Sequence, residues 1–93
     1  MSATNNTGGR DGGERTMPHV IVKMYAGRTD EQKAAIAAAL TTALMQAAGS
    51  SEASVSVAIE DVAPADWVAK VYEPEIIGKP DTVFKKPGYE PGR

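Results

Sequence analysis

The chain has 93 residues, a net charge of −2 and no cysteine, and these values limit its class. Disulfides and thiolate metal sites are excluded, and a single histidine argues against a histidine metal site. No apolar run reaches the roughly 20 residues of a membrane span, and the absence of a basic block argues against nucleic acid. We expect one small cytoplasmic domain whose partners include neither nucleic acid nor membrane.

Residues 1–16 are rich in glycine, asparagine and threonine. They contain no apolar residue larger than Met1, so they cannot bury enough surface to offset the entropy of ordering. Gly12-Gly13-Glu14 can be encoded by a purine-rich bacterial ribosome-binding sequence at a suitable distance before Met17. We therefore hypothesise that residues 1–16 are a flexible leader or a miscalled start, and that the folded domain comprises residues 17–93.

The next feature is a proline at the start of an apolar strand, in Met17-Pro18-His19. A Met-Pro at a true chain start loses its Met, because proline is small enough for the trimming enzyme. Pro18 would then carry a secondary amine that can act as a base near neutral pH. With the leader attached, the same nitrogen is a tertiary amide without basicity. The structural alternative is a proline at the edge of a strand.

The elements that follow read as strand, helix and strand. The apolar run Val20–Val22 predicts a strand covered on both faces. Thr29 with Gln32 three residues later predicts a capped helix start, and Gly49 predicts its end. The alternation over Ala53–Glu60 predicts a second strand. The sequence therefore predicts an α+β fold, a βαβ unit with two parallel strands and a long crossover helix.

Two strands and one long helix cannot enclose a core alone, so we expect other copies of the chain to complete the fold as a homo-oligomer. The C-terminal segment continues with Pro64, which predicts the start of a helix that contains Trp67 and that Pro74 limits. A short helical turn is possible at Asp81–Phe84.

From Met17 onward the chain resembles the 4-oxalocrotonate tautomerase family, small tautomerases with an amino-terminal proline. The resemblance rests on Met17-Pro18-His19 entering a strand, on the stretch from Gly27 to Lys33 that opens the helix, and on Ser54–Val57 in the second strand. The ending Lys85-Lys86-Pro87-Gly88-Tyr89 is similar to the dimeric short-chain branch of that family, which favours a dimer over a hexamer.

The resemblance implies a cofactor-independent keto–enol tautomerase, an isomerase with the tautomerase/MIF-like fold. Pro18 would take the hydroxyl proton of a small 2-hydroxy-2-enoate, and a proton would return to carbon to give the 2-keto acid. The pKa of an α-amino group begins at roughly 7.7–8.0, and apolar groups and a nearby cation disfavour its charged form. Arg28 and Trp67 are implied as the substrate-binding residues and as the sources of these effects. No metal or organic cofactor is required.

Each of these residues has a simpler interpretation. Arg28 could be a solvated residue before a helix cap, and Trp67 could be a core aromatic. For His19 we favour a structural role, because side chains of neighbouring strand residues alternate in direction. Ser56 stands where family members acting on diacids often carry an arginine, so a monoacid such as an aryl enolpyruvate is the more plausible substrate. Ser54 and Ser56 could still donate hydrogen bonds.

Two other functions stay open at this point. The chain could be a non-catalytic oligomeric protein that binds a small acid, with Pro18 blocked by the leader. A dehalogenase or hydratase of the same superfamily is less favoured, because those reactions need further acids or arginines to activate water.

Overall fold

The structure is a computed structural model that describes residues 16–90. Two strands, with a long helix between them, are followed by a C-terminal segment of short helices. The longer elements are β1 (His19–Tyr25), α1 (Asp30–Ala48), β2 (Ser56–Val62) and a π-helix, α2 (Val68–Ile77).

β1 and β2 pair as a two-stranded sheet. The backbone N–H of Ser56 donates to the carbonyl of Pro18 at 3.1 Å, and that of Ala26 donates to the carbonyl of Val62 at 3.0 Å. The contacts advance in the same direction along both strands, so the strands are parallel. The predicted βαβ unit is confirmed.

Both ends of α1 form as the sequence predicts. Thr29 Oγ1 accepts a hydrogen bond from the backbone N–H of Gln32 at 3.1 Å, and Gln32 Oε1 accepts from the backbone N–H of Thr29 at 2.9 Å. This reciprocal pair satisfies two N–H groups that the first turn leaves without helical partners. At the other end Gly49 has φ 72°, in the left-handed region that glycine adopts without a Cβ penalty.

β2 begins three residues later than the sequence predicts. Glu52–Ser54 form a 3₁₀ turn, and β2 starts at Ser56. Ser54 Oγ donates to the backbone carbonyl of Ser51 at 2.9 Å. A serine hydroxyl bonded to nearby backbone supports a turn in place of a strand, which explains the shift.

The C-terminal segment departs further from the prediction. A 3₁₀ turn at Pro64–Asp66 leads through Trp67 into α2, which contains Pro74, so the prediction that Pro74 limits the helix is wrong. The backbone N–H of Gly78 donates to the carbonyl of Glu73 at 2.8 Å, an i→i−5 bond. The wider π turn accommodates a proline ring that clashes with the i−4 carbonyl in an α-helix. A short 3₁₀ turn follows at Pro80–Thr82.

The chain divides into two compact units. Among the described residues, the first unit comprises 16–22 and 28–60, and the second comprises 23–27 and 61–90.

In the described part of the first unit, no residue of α1 is buried, and Ile21 in β1 is 50% exposed. In the described part of the second unit, Val62 and Val71 are the buried apolar residues. A single chain therefore leaves part of β1 exposed, and the prediction that other copies of the chain cover it stays a prediction. Across residues 16–90, no helix combines the length and apolar character needed to cross a membrane.

Candidate active site

Pro18 lies immediately before β1, at the end of the sheet where β2 begins. Its carbonyl is held by the backbone N–H of Ser56 at 3.1 Å, and the residue is half-buried. Met17 has φ 45° and is 68% exposed. A positive φ is unfavourable for a residue with a Cβ, so the chain leading into Pro18 is locally strained. The Met17–Pro18 peptide bond thus precedes β1, whereas the carbonyl of Pro18 is held by β2.

His19 and Ser56 form a polar pair beside Pro18. His19 Nδ1 lies 2.7 Å from Ser56 Oγ, and both residues are exposed. Which of the two groups donates depends on the histidine tautomer. Because Ser56 also binds the carbonyl of Pro18 through its backbone, the pair is fixed next to the proline. This contact joins the two side chains, and the pair also offers hydrogen-bonding groups to a bound molecule.

Thr16, the last residue of the hypothesised leader, contacts the loop that follows α1. Its Oγ1 lies 2.8 Å from Ser50 Oγ, and Ser50 is only 5% exposed. Among the described residues, Ser51 Oγ is the buried side-chain oxygen for which the structure shows no hydrogen-bond partner. In a chain that keeps Thr16, two positions before Pro18, the side chain of Thr16 therefore contacts Ser50.

Arg28 lies beyond the opposite end of β1 from Pro18 and is exposed. Seven strand residues at about 3.3 Å each separate the two ends by roughly 20 Å. An arginine side chain does not span that distance. Within one chain, the structure therefore does not bring the guanidinium of Arg28 to the nitrogen of Pro18.

Trp67 lies in the second unit, where two tyrosines contact it. The ring of Tyr25 meets it edge-on, with centroids 5.4 Å apart and planes at 83°. The indole Nε1–H donates to Tyr89 Oη at 3.0 Å. Tyr25, Trp67, Tyr89 and Glu90 line a cavity of about 370 Å³. Trp67 is half-buried and forms one wall of this cavity, and its role in substrate binding stays a prediction.

The sequence did not indicate the two tyrosines as site residues. Tyr25 is the last residue of β1, and no periodicity connects it with Trp67. Tyr89 belongs to the ending that carries the resemblance to the short-chain branch, and that motif was the one available signal.

Two ion pairs lie within the described part of the second unit. Lys23 forms an ion pair with Glu75, and Lys70 Nζ lies 3.4 Å from Asp66 Oδ2. Over the described residues, no three histidine, cysteine, aspartate or glutamate side chains are grouped so that they could hold a metal ion.

Comparisons with known proteins converge on one family. The family model described as "Tautomerase enzyme" matches residues 18–73, and its match begins at Pro18. Tautomerase PptA of Cronobacter sakazakii is 41% identical over 75 residues, which cover 80% of this chain and 99% of that protein. Tautomerase PptA of an Enterobacter species is 43% identical over 74 residues, covering 78% of this chain and 97% of that protein.

A solved structure agrees with these sequence matches. The crystal structure of a candidate 4-oxalocrotonate tautomerase from methicillin-resistant Staphylococcus aureus has a TM-score of 0.52 and 35% identity. The match covers 53% of this chain and 79% of that one. The fold and the sequence relatives both confirm the predicted resemblance, and the chain belongs to the tautomerase family of 4-oxalocrotonate tautomerase-like proteins.

Proposed function

We propose that the chain is a cofactor-independent keto–enol tautomerase in which the nitrogen of Pro18 is the general base. The observation that carries the proposal is that the family match begins at Pro18, at the end of the parallel sheet. The carbonyl of Pro18 accepts a hydrogen bond from the backbone N–H of Ser56, the first residue of β2. In a chain that begins at Pro18, the nitrogen of this residue is a secondary amine next to the start of both strands.

The reaction requires two proton transfers and no change in oxidation state. The unprotonated amine of Pro18 removes the proton of the 2-hydroxyl group, and the oxygen electron pair forms the C2 carbonyl. The electrons of the C2–C3 double bond take up a proton at C3, which the protonated amine can return. The product is the 2-keto acid, and the amine is regenerated. A positioned general base of this kind contributes roughly 10²–10⁴-fold to the rate.

The polar groups beside Pro18 support a monoacid substrate. Ser56 stands where diacid-specific family members often have an arginine, and its Oγ lies 2.7 Å from His19 Nδ1. A neutral hydroxyl cannot neutralise a second carboxylate as a guanidinium does. We therefore propose an aryl or alkyl 2-hydroxy-2-enoate with one carboxylate, such as phenylenolpyruvate.

In a homo-oligomer, a second copy of the chain would supply the Arg28 guanidinium, which within one chain lies far from Pro18. Arg28 and Pro18 lie at opposite ends of β1, so an Arg28 that binds the substrate carboxylate has to come from another copy. The exposed apolar side chains in the first unit, Ile21 at 50% and Met45 at 40%, are consistent with packing against that copy. We propose a dimer in which each site takes Arg28 from the partner subunit.

One observation favours a second candidate function, a non-catalytic protein that binds small acids. Thr16 contacts the buried Ser50 at 2.8 Å, so the residue before Met17 has a place on the first unit. In a chain that retains Thr16 and Met17, the nitrogen of Pro18 is an amide and cannot take up a proton. Binding without turnover would then be the only activity.

Two measurements test the proposal. The first is the intact mass of the protein from its native host: a chain beginning at Pro18 supports the enzyme, and a retained leader supports the binding protein. The second compares turnover of phenylenolpyruvate by a preparation that starts at Pro18 with that of Pro18→Ala.

We expect Pro18→Ala to lower kcat by at least about a hundredfold. The matched control is Pro64→Ala, which removes a proline from a surface 3₁₀ turn and is expected to leave kcat unchanged. Undiminished turnover by Pro18→Ala would refute the role of the amine.

A further inference from the structure

We infer that the Ser50 hydroxyl is a further catalytic group, which donates a hydrogen bond to the oxygen on C2 of the substrate, here called the 2-oxygen. The inference rests on the proposed tautomerase function, because the 2-oxygen is the atom that loses its proton to Pro18. Thr16, Pro18 and Ser50 all belong to the first unit, so the groups that carry the inference lie within one compact unit.

Ser50 is a buried polar residue whose hydroxyl meets the segment before Pro18. It is 5% exposed, and its Oγ lies 2.8 Å from Thr16 Oγ1. Thr16 and Pro18 are two residues apart, so their Cα atoms lie at most about 7.6 Å from each other. A small molecule whose oxygen takes the place of Thr16 Oγ1 is therefore within reach of the Pro18 nitrogen. In a chain that begins at Pro18, the Thr16 hydroxyl no longer competes for that place.

The next residue, Ser51, carries a second hydroxyl that the fold does not use. Ser51 precedes the 3₁₀ turn at Glu52–Ser54, but its side chain makes no capping hydrogen bond. Its Oγ is buried, and the described residues offer it no hydrogen-bond partner. Buried hydroxyl groups in native proteins are satisfied by protein, water or ligand. The loop after α1 therefore has hydrogen-bonding capacity for a small polar molecule.

The electrostatics of this loop favour a neutral group over a carboxylate. Ser50 follows Gly49, the residue that ends α1, and the C-terminal end of a helix carries partial negative charge. The last turn of α1 has no basic residue to offset this charge, and Glu52 lies two residues after Ser50. The 2-oxygen is neutral both as an enol hydroxyl and as a ketone, as is the Thr16 hydroxyl that it would replace. The loop therefore selects the 2-oxygen, and the substrate carboxylate is left to Arg28 in the proposed dimer.

A serine hydroxyl suits both states of the 2-oxygen. It can donate to or accept from an enol hydroxyl, and it donates to a keto oxygen. As Pro18 removes the hydroxyl proton, electron density on the 2-oxygen rises, and a donor held beside that oxygen stabilises the transition state. Ser50 keeps its own proton throughout, because the amine of Pro18 carries the transferred one.

The first experiment uses the full 93-residue chain, in which the Pro18 nitrogen is an amide, so that binding is measured without turnover by the amine. We propose to titrate it with 2-oxobutyrate and with butyrate, which share the carboxylate and differ in the 2-oxygen. Binding is followed by the amide chemical shifts of residues 49–51. In the unchanged chain the Thr16 hydroxyl competes for Ser50, so Thr16→Ala should bind 2-oxobutyrate about threefold to tenfold more tightly. The affinity for butyrate should not change.

Two matched variants assign this gain in affinity to the hydroxyl groups. Thr16→Ser keeps the competing hydroxyl and should bind 2-oxobutyrate as the unchanged chain does. Adding Ser50→Ala to Thr16→Ala should remove the gain. No gain in Thr16→Ala, an equal gain for butyrate, or a gain that survives Ser50→Ala would overturn the inference.

The second experiment measures catalysis by a chain that starts at Pro18, with phenylenolpyruvate as the substrate. Ser50→Ala should lower kcat by about tenfold to a hundredfold and change KM by less than about threefold, because the hydrogen bond to the 2-oxygen strengthens in the transition state. Ser50→Cys keeps a weak donor and should have an intermediate kcat. The control is Thr41→Val, which removes a hydroxyl that donates to the carbonyl of Ala37 within α1, and it should leave kcat unchanged. An unchanged kcat in Ser50→Ala, or an equal loss in the control, would refute the catalytic role.

The two experiments distinguish a failure of this inference from a failure of the proposed function. Binding of 2-oxobutyrate to the full chain does not need the amine. Binding that depends on Ser50, together with undiminished turnover by Pro18→Ala, would refute the proposed base and leave the Ser50 site standing. Turnover that is lost in Pro18→Ala but unchanged in Ser50→Ala would refute the role of Ser50 and leave the proposed function standing.

Discussion

Ser56 offers a direct test of why this chain should prefer a monoacid. Its side chain is exposed at the first residue of β2, and its Oγ lies 2.7 Å from His19 Nδ1. Its backbone N–H is bonded to Pro18, so a replacement side chain starts from a fixed point beside the proline. Ser56→Arg therefore introduces a guanidinium next to the proposed base at an exposed position that tolerates a long side chain.

The expected effect follows from the interactions exchanged. A hydrogen bond to a charged group is worth about 1.5–3 kcal/mol, whereas a neutral one contributes about 0.5–1.5 kcal/mol. Ser56→Arg gains a charged hydrogen bond to the second carboxylate of the substrate and loses the neutral hydrogen bond to His19. Because each 1.4 kcal/mol is about tenfold in rate, the ratio of kcat/KM for a dicarboxylate dienol over that for phenylenolpyruvate should rise about tenfold to a hundredfold.

The assay measures both kcat/KM values for a preparation that starts at Pro18, with 2-hydroxymuconate as the dicarboxylate. Ser56→Gln is the matched control, since glutamine adds length and hydrogen-bonding groups without charge. We expect its substrate ratio to stay within about threefold of the parent value. A ratio that Ser56→Arg leaves unchanged, in a folded variant, would show that position 56 does not determine the charge of the substrate.

Three further predictions concern the helix ends and the base. Gly78→Ala should lower the free energy of unfolding by about 1–3 kcal/mol, because its Cβ would lie 2.8 Å from the carbonyl oxygen of Glu73. Thermal unfolding measures this change. The control is Gly88→Ala, whose Cβ would have open space and which should differ from the parent protein by less than about 0.5 kcal/mol. Thr29→Ala removes the side-chain cap of α1 and should cost about 1 kcal/mol by urea unfolding, a value near zero contradicting the capping role. kcat/KM of a chain that starts at Pro18 should fall as pH drops through the pKa of its amine, at or below about 8, because only the unprotonated amine accepts a proton; a pH profile that rises toward acid would rule out this base.

The sequence predicts best where a structure is determined by local interactions. The helix start at Thr29 and Gln32 and its end at Gly49 both follow from hydrogen bonds or backbone angles within a few residues. These preferences act in the same way in any chain, so reading them needs no knowledge of the fold. The parallel pairing of β1 and β2 also followed, since a helix between two strands of one sheet imposes it.

The elements that the sequence did not predict depend on choices between competing local structures. Ser54 could extend a strand or bond to the carbonyl of Ser51, and it does the latter. Pro74 ordinarily ends an α-helix, yet α2 continues through it with i→i−5 spacing, as the bond from Gly78 to Glu73 shows. Proline rules describe the α-helix, and they do not transfer to a wider turn.

The sequence predicted which residues form the candidate site, but the structure does not bring Pro18 and Arg28 together within one chain. Pro18 and Arg28 stand ten positions apart in the sequence, and the seven-residue strand between them separates its two ends by roughly 20 Å. If Pro18 is the base and Arg28 binds the carboxylate, as we propose, one copy of this strand cannot bring both groups to the same substrate. Two antiparallel copies of such a strand can, because each end then faces the opposite end of its partner. The spacing that prevents a complete site in one chain is thus the one that the proposed symmetric dimer would use. For that dimer we expect activity to be lost on dilution below its dissociation constant.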